Sequence, residues 1–291
     1  MIKKYSFSIT LIFVFSCFGL LIALFRGEIK YFFMFSGMGL ASGFGEWLML
    51  QFPKYKQFLR RSIQASVGGF LFIGLSLYGN VNFQFSELFF DLYATVITGA
   101  LIQFVFARLI LPFFMGNAFC SKACWSGALF ELAQPLSSKV RNPKVRNEVI
   151  AFAYIGLLIV ISSVASYLYN PAIFETSKRY WIIGENLAIL TIGVTLSRYW
   201  GSRAYCRTFC PFITVSGLLS KYAIFKITPT KSESCTSCGC CNKKCPMLID
   251  VRNAVKTNNR ISHKSCILCE QCVDACPEGC IQLVPKIVAK R

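Results

Sequence analysis

The chain has 291 residues, of which 55% are hydrophobic and only 15% charged, with a mean hydropathy of +0.53. A water-soluble domain cannot hide that much apolar surface under so few charges, so an ordinary soluble protein is excluded and spans of about 20 apolar residues are expected. The formal net charge of +18 would suit nucleic acid, but the basic residues lie beside apolar segments, where they set orientation and meet membrane lipid; no nucleic-acid partner is expected.

Six segments qualify as spans in chain order: 7–25, 31–52, 63–79, 88–107, 149–168 and 181–200. Lys3 and Lys4 precede the first, but Leu24-Phe25-Arg26 is no cleavage site for a secretion signal, so this segment reads as a span with Cys17 as a buried thiol. One set of loops carries Lys54, Lys56, Arg60 and Arg61, then Lys122, Lys139, Arg141, Lys144 and Arg146, then Arg198, Arg203 and Arg207. The opposite loops are poorer in basic residues, and the 80–87 loop has none. That asymmetry predicts a multi-pass protein of the inner (cytoplasmic) membrane with both termini in the cytoplasm. Glu46, preceded by Gly43 and Gly45 within the second span, is the candidate proton acceptor, or else a carboxylate paired with Arg60 or Arg108. Asp91 and Glu185 fall near the outer edge and are expected to be solvated.

Three regions emerge: a hairpin over 1–62, a duplicated region over 63–220, and a small domain over 221–291. In the duplicated region each pair of spans is followed by a Cys-x3-Cys pair, Cys120 with Cys124 and Cys206 with Cys210, each a few residues after a glycine, Gly116 or Gly201. On a helix this spacing puts both sulfurs on one face, one turn apart. Two such pairs on one membrane face can converge into a four-thiolate site. A third [4Fe–4S] cluster, a zinc or copper ion, and a redox dithiol set are all compatible with it.

The last region carries the most specific signal. Cys235-x2-Cys238-x2-Cys241-x3-Cys245-Pro246 is followed by Cys266-x2-Cys269-x2-Cys272-x3-Cys276-Pro277. This is the bacterial ferredoxin run, twice, in which the fourth cysteine of each run ligates the other cluster. Cys235, Cys238, Cys241 and Cys276 are therefore expected to hold one [4Fe–4S] cluster, and Cys266, Cys269, Cys272 and Cys245 the second. Cys240 breaks the spacing and Cys280 follows the last ligand, so both read as buried non-ligands. Residues 221–226 and the turn around Pro229 read as a linker, 248–256 as a short helix and 281–284 as a short strand. Fifteen cysteines on the cytoplasmic side point to metal ligation rather than disulfides.

The expected fold is mostly α: a polytopic transmembrane bundle of about six helices with a small C-terminal α+β domain of the 2[4Fe–4S] type. His263 is the sole histidine, so bis-histidine haem within the membrane is excluded, and no G-x-G-x-x-G marks a nicotinamide site. Phe119–Cys124, Tyr205–Pro211 and the two ferredoxin runs together make the chain resemble the membrane polyferredoxin family of the NapH and NosR type. The first pair departs from that family's pattern by ending Cys124-Trp125 rather than Cys-Pro. The resemblance implies a quinol dehydrogenase component that takes electrons from the quinone pool and passes them to an iron–sulfur or cytochrome partner. The alternative is a maturation factor that uses Cys120, Cys124, Cys206 and Cys210 to reduce or bind copper.

Overall fold

The computed structural model describes residues 2–78, 81–94, 97–133, 148–168 and 171–286; Lys139, Arg141, Lys144 and Arg146 lie outside them. The first two helices, α1 (Ile2–Arg26) and α2 (Lys30–Gln51), form an antiparallel hairpin that turns at Gly27, whose φ is 69°. Neither has a polar stripe to aim at water, so close approach of backbones decides how they pack. A Cβ on Gly39 would lie 2.7 Å from that of Phe15, and one on Gly43 would lie 2.9 Å from the backbone oxygen of Ser8. Small residues at such crossings let apolar helices gain dispersion contacts. Phe15, Phe18 and Phe35 then close around Phe106, with ring centroids 4.8, 4.0 and 5.6 Å from it.

After a short turn comes α3 (Lys56–Gly69), which runs on as a wider helix through Phe70–Tyr78. Its buried residues Arg60, Gln64 and Gly68 recur every fourth position, one face of a helix, and turn toward the two short helices introduced next. Those are α7 (Ala118–Lys122) and α8 (Trp125–Leu132).

Between them and α3, the predicted fourth span divides. Helix α4 (Phe85–Ala94) is separate from α5 (Gly99–Phe104), whose start is capped by Thr98, the hydroxyl accepting from the amides of Ala100 and Leu101 at 3.2 and 3.4 Å. Helix α5 widens over Val105–Ile110 before α6 (Leu111–Met115). Pro112 has no N–H to offer the Arg108 carbonyl, so a regular ladder cannot continue there. The 80–87 segment also differs from expectation: residues 82–87 are buried rather than exposed as a loop. Asn82 and Gln84 donate to Glu185 and Asn186 at 2.9 and 2.6 Å, which satisfies polar groups that sequence alone would place in water.

Helices α9 (Glu148–Leu168) and α10 (Pro171–Trp200) are long, and many of their apolar side chains face outward, although Ile182 is fully buried. Phe13 and Leu21 on α1, Phe33 and Phe44 on α2, Val160 on α9 and Leu187 on α10 are all more than half exposed. Cys17 is exposed too, a correction to its expected burial. Among the described residues, two helices are long and apolar enough to cross a membrane, Tyr5–Arg26 and Arg179–Trp200, against the six predicted. Glycines and Glu46 dilute α2, the basic start of α3 shortens the next, and the apolar helices Gly99–Met115 and Val149–Ala165 are shorter than 18 residues.

The C-terminal part follows α11 (Ala204–Thr208) and α12 (Pro211–Ser220). Strand β1 (Phe225–Pro229) pairs antiparallel with β2 (Ile281–Pro285), bringing Ile227 opposite Leu283. The expected linker and turn over 221–229 is thus partly strand, its β-branched Ile227 and Thr228 buried against the cysteine loops. Helix α13 (Cys240–Lys244), α14 (Val251–Lys256) and α15 (Gln271–Asp274) complete this part, with Asp250 capping α14 through a 3.1 Å bond from the Asn253 amide.

Candidate iron–sulfur sites

Each ferredoxin run folds as the same loop. Ser237 and Leu268 have φ of 58° and 51°, Gly239 and Glu270 have 72° and 60°, and Leu248 and Gly279 have 55° and 59°. These three pairs occupy equivalent places in the two runs. Left-handed backbone is costly for residues other than glycine, so four non-glycine residues held there mark a constraint that the loop must satisfy. The fourth cysteines match as well, since the Ile249 amide donates to Cys245 Sγ and the Cys280 amide to Cys276 Sγ, both at 3.4 Å.

The loops cross over in space. One small cavity is walled by Cys245, Cys266, Cys269 and Cys272, and a second by Cys235, Cys238, Cys241 and Cys276. The first is deep, and burial pushes the Cys266 and Cys269 thiols up to about 12 and about 11. Four buried thiols of this kind stay protonated until a cation offsets the cost of ionising them, which is the chemistry of a thiolate-held cluster. The second is nearer water, with Cys238 exposed. Of the two expected non-ligands, Cys280 is buried and Cys240 is half-buried at the start of α13.

The other four cysteines lie at two matching corners. Helix α7 ends at Lys122 and α11 at Thr208, so Cys124 and Cys210 are not on the same helix as their partners, contrary to expectation. They cap α8 and α12 instead, with ψ of 114° in both. The Cys124 amide donates to the Phe119 carbonyl and the Cys210 amide to the Tyr205 carbonyl, each at 3.1 Å. Gly116 and Gly201, with φ of 51° and 90°, make the sharp approaches that let the two corners meet. Cys120, Cys206 and Cys210 are close enough to feel one another's charge, and burial pushes the Cys210 thiol up to about 12. Among the described residues, no three His, Cys, Asp or Glu side chains are gathered as a single metal ion would need.

Arginines surround these corners; sequence reasoning treated Arg60, Arg203 and Arg207 as loop charges and Arg108 as a candidate partner of Glu46. Arg108 points its guanidinium at Cys120 Sγ, 3.4 Å away, and lies between the Phe119 and Phe212 rings at 4.4 and 4.3 Å. Arg203 is fully buried; it donates to the Cys120 carbonyl at 2.8 Å and to Glu131 at 2.7 Å. Arg60 donates to the other Glu131 oxygen at 2.6 Å and to the Ser121 carbonyl at 3.0 Å. Gln64 donates to the carbonyls of Cys120 and Cys124 at 3.2 and 2.9 Å. The Nε atoms of Arg108 and Arg207 are buried without a hydrogen-bond partner, and Arg207 feels both Cys206 and Cys245. Buried cations left this way fit a site whose occupant carries net negative charge, as a cube with four thiolates does.

The ferredoxin part is seated directly on this region. Lys56 on α3 bridges Glu270 at 2.7 Å and Asp274 at 2.9 Å, while Asn117 donates to the Lys264 carbonyl at 2.7 Å. Lys122 pairs with Glu46 and lies 3.9 Å from Glu270. Glu46 is therefore tied into the seat by Lys122, not by Arg60 or Arg108. Gly217 on α12 touches the seat most closely, because a Cβ there would lie 2.7 Å from the Lys264 carbonyl oxygen. Gly217→Val is expected to unseat the domain, and faster tryptic cleavage at exposed Lys221 with an unchanged iron content checks this.

Two cavities adjoin the corners. The larger, of about 400 Å³, is apolar and has Met38, Phe106, Phe119 and Ala123 in its wall. The smaller, of about 40 Å³, is lined by Cys124, Cys206, Cys210, Tyr154 and Glu185. Phe83 and Gln103 belong to both walls. Glu46 lines neither.

Residues 234–281 match the 4Fe-4S dicluster domain family, and residues 97–143 and 184–229 each match the 4Fe-4S binding domain family. Over 196 residues the chain is 27% identical to an uncharacterized protein of Methanocaldococcus jannaschii, MJ0749, covering 65% of this chain and 70% of that one. Over 189 residues it is 26% identical to a candidate electron transport protein of Escherichia coli, YccM, covering 59% of this chain and 52% of that one. It is 24% identical over 200 residues to the regulatory protein NosR of Pseudomonas aeruginosa, covering 60% of this chain and 27% of NosR. No solved structure matches the chain.

Proposed function

We propose, from the premise that this chain is related to the 4Fe–4S ferredoxin-type electron-transport proteins, that it draws electrons from membrane quinol and hands them to a redox partner. The observation that carries this reading is the position of the four corner cysteines. Phe119 and Ala123, the chain neighbours of Cys120 and Cys124, lie in the wall of an apolar cavity of quinone size, and Arg207 feels both Cys206 and Cys245 of the dicluster part. Ligand pockets of some 300–1,000 Å³ are usual for molecules of that class.

In this reading the chain is a multi-pass protein of the cytoplasmic membrane with a hairpin, a duplicated region and a ferredoxin domain facing the cytoplasm. The outward Phe, Leu and Val side chains of α1, α2, α9 and α10 support it, because a monomer in water rarely keeps so many together. Cys235, Cys238, Cys241 and Cys276 hold one [4Fe–4S] cluster, and Cys266, Cys269, Cys272 and Cys245 the second. Cys120, Cys124, Cys206 and Cys210 hold a third. When bound, the clusters supply one-electron steps between a two-electron donor and the partner. The chain's own groups do the rest. Arg108 and Arg203 offset thiolate charge, Lys56 and Asn117 fix the seat, and Arg207 lies between Cys206 and Cys245, where the corner site meets the nearer ferredoxin cluster. The exposed Cys238 edge faces the partner. No observation on the corner cysteines favours the copper maturation reading.

Anaerobically purified full chain, given a reduced menaquinol, is expected to develop the paramagnetic signal of reduced [4Fe–4S] clusters. Clusters that dithionite reduces but no quinol does would overturn the proposal.

A further inference from the structure

Quinol oxidation releases protons as well as electrons, and the proton acceptor expected from sequence, Glu46, lines neither cavity. A different carboxylate does. Glu185 on α10 lies in the wall of the small pocket that also contains Cys124, Cys206 and Cys210. Its two oxygens accept from Ser86 Oγ at 2.8 and 2.7 Å, and Asn82 Nδ2 donates to one of them at 2.9 Å. On the pocket's other side Tyr154 is hydrogen-bonded to Tyr205, the neighbour of Cys206. The pocket's 40 Å³ is too small for a quinone but large enough to hold water. Gln103 and Phe83 form its boundary with the large apolar cavity.

We infer that Glu185 is the proton-accepting residue for quinol bound in the apolar cavity, receiving the proton past Gln103 through the small pocket. The inference rests on the quinol reading above. The step balances as one quinol giving one quinone, two electrons and two protons. Two oxidised [4Fe–4S] clusters take one electron each, Glu185 takes one proton and water takes the other. An ionisable group inside an apolar bundle is costly to keep, and here the Ser86 hydroxyl, shared between both oxygens, and the Asn82 amide hold it in place. The charged or titratable side chains that face the same pocket are Tyr154, Tyr205, Arg108, Cys124, Cys206 and Cys210. None of the six is a carboxylate.

The test uses anaerobic, cluster-loaded full chain and its Glu185→Gln, Glu185→Asp and Ser86→Ala variants with a short-chain menaquinol. Dithionite should reduce the clusters of all four proteins. Quinol-driven reduction in Glu185→Gln is expected to fall about a hundredfold at neutral pH, the lower end of what a positioned base contributes, and Glu185→Asp to recover part of it. Redox-induced infrared difference spectra should show a protonated-carboxyl band in the wild type that Glu185→Gln lacks. Ser86→Ala keeps the carboxylate but removes a donor to it, so the acid limb of the rate profile should move to higher pH. A Glu185→Gln protein with wild-type rate, profile and carboxyl band would overturn the inference alone, as would an unmoved profile in Ser86→Ala should Glu185→Gln fail to accumulate. A wild type that no quinol reduces would overturn the quinol reading, and this inference with it.

Discussion

Serine at both Cys206 and Cys210 is expected to lower the iron content from about twelve to about eight atoms per chain, one four-iron cube of three. The two ferredoxin clusters should stay dithionite-reducible, because their eight cysteines lie in separate cavities. Quinol should no longer reduce them, since in the proposed route the corner site is the step between the apolar cavity and the nearer cluster. Iron analysis with electron paramagnetic resonance under both reductants reads all three outcomes. A variant that keeps twelve irons would remove the third cluster from the account. Serine at Cys245 makes the complementary case: it should disturb the cluster of Cys266, Cys269 and Cys272 in the following run rather than the one of its own run.

The second large effect lies at Glu131, which holds Arg60 and Arg203 together behind Cys120. Burial acts against the Glu131 carboxylate, but Arg203 and Arg60 outweigh it and bring its pKa from the ordinary 4.5 to about 2. A depressed carboxylate contributes stability that is fully present above about pH 4.5 and is lost as pH falls through about 2. The shift corresponds to about 3 kcal/mol. Glu131→Gln removes the anion and strands two buried guanidinium groups, so a loss of roughly 3–5 kcal/mol is expected. The thermal midpoint in detergent should drop by on the order of 10 °C at fixed scan rate. Because Arg203 also holds the Cys120 carbonyl, the corner cluster should be lost before the other two. An unchanged midpoint would mean that this triad does not brace the site.

What the sequence made legible was what spacing encodes directly. The two ferredoxin runs name their cysteines, and the crossing of Cys245 and Cys276 follows from chain geometry that every such run shares. Helices of strong apolar character, such as α1 and α10, were equally plain. What remained hidden depends on pairing between distant segments. A spacing of four fits a helix, so Cys120 and Cys124 read as one face; Gly116 and the capping role of Cys124 turn that face into a corner. Asn82, Gln84 and Ser86 read as a polar loop because their partners, Glu185 and Asn186, are about a hundred residues away. Arg60, Lys122 and Arg203 read as orientation charges, yet their carboxylate partners come from Glu131 and Glu46. Glu46 stood out beside two glycines, but its pairing with Lys122 could not be read from spacing. One signal was available: Arg203 and Arg207 flank Cys206 closely, and basic residues beside buried thiols favour thiolate.

The most direct measurement of the central claim is iron and acid-labile sulfide on anaerobically purified full chain, combined with spin counting as menaquinol is added. The account predicts about twelve irons and twelve sulfides per chain, with spins appearing on quinol addition. About eight of each, with Cys120, Cys124, Cys206 and Cys210 titrating as free thiols and no spins before dithionite, would contradict it.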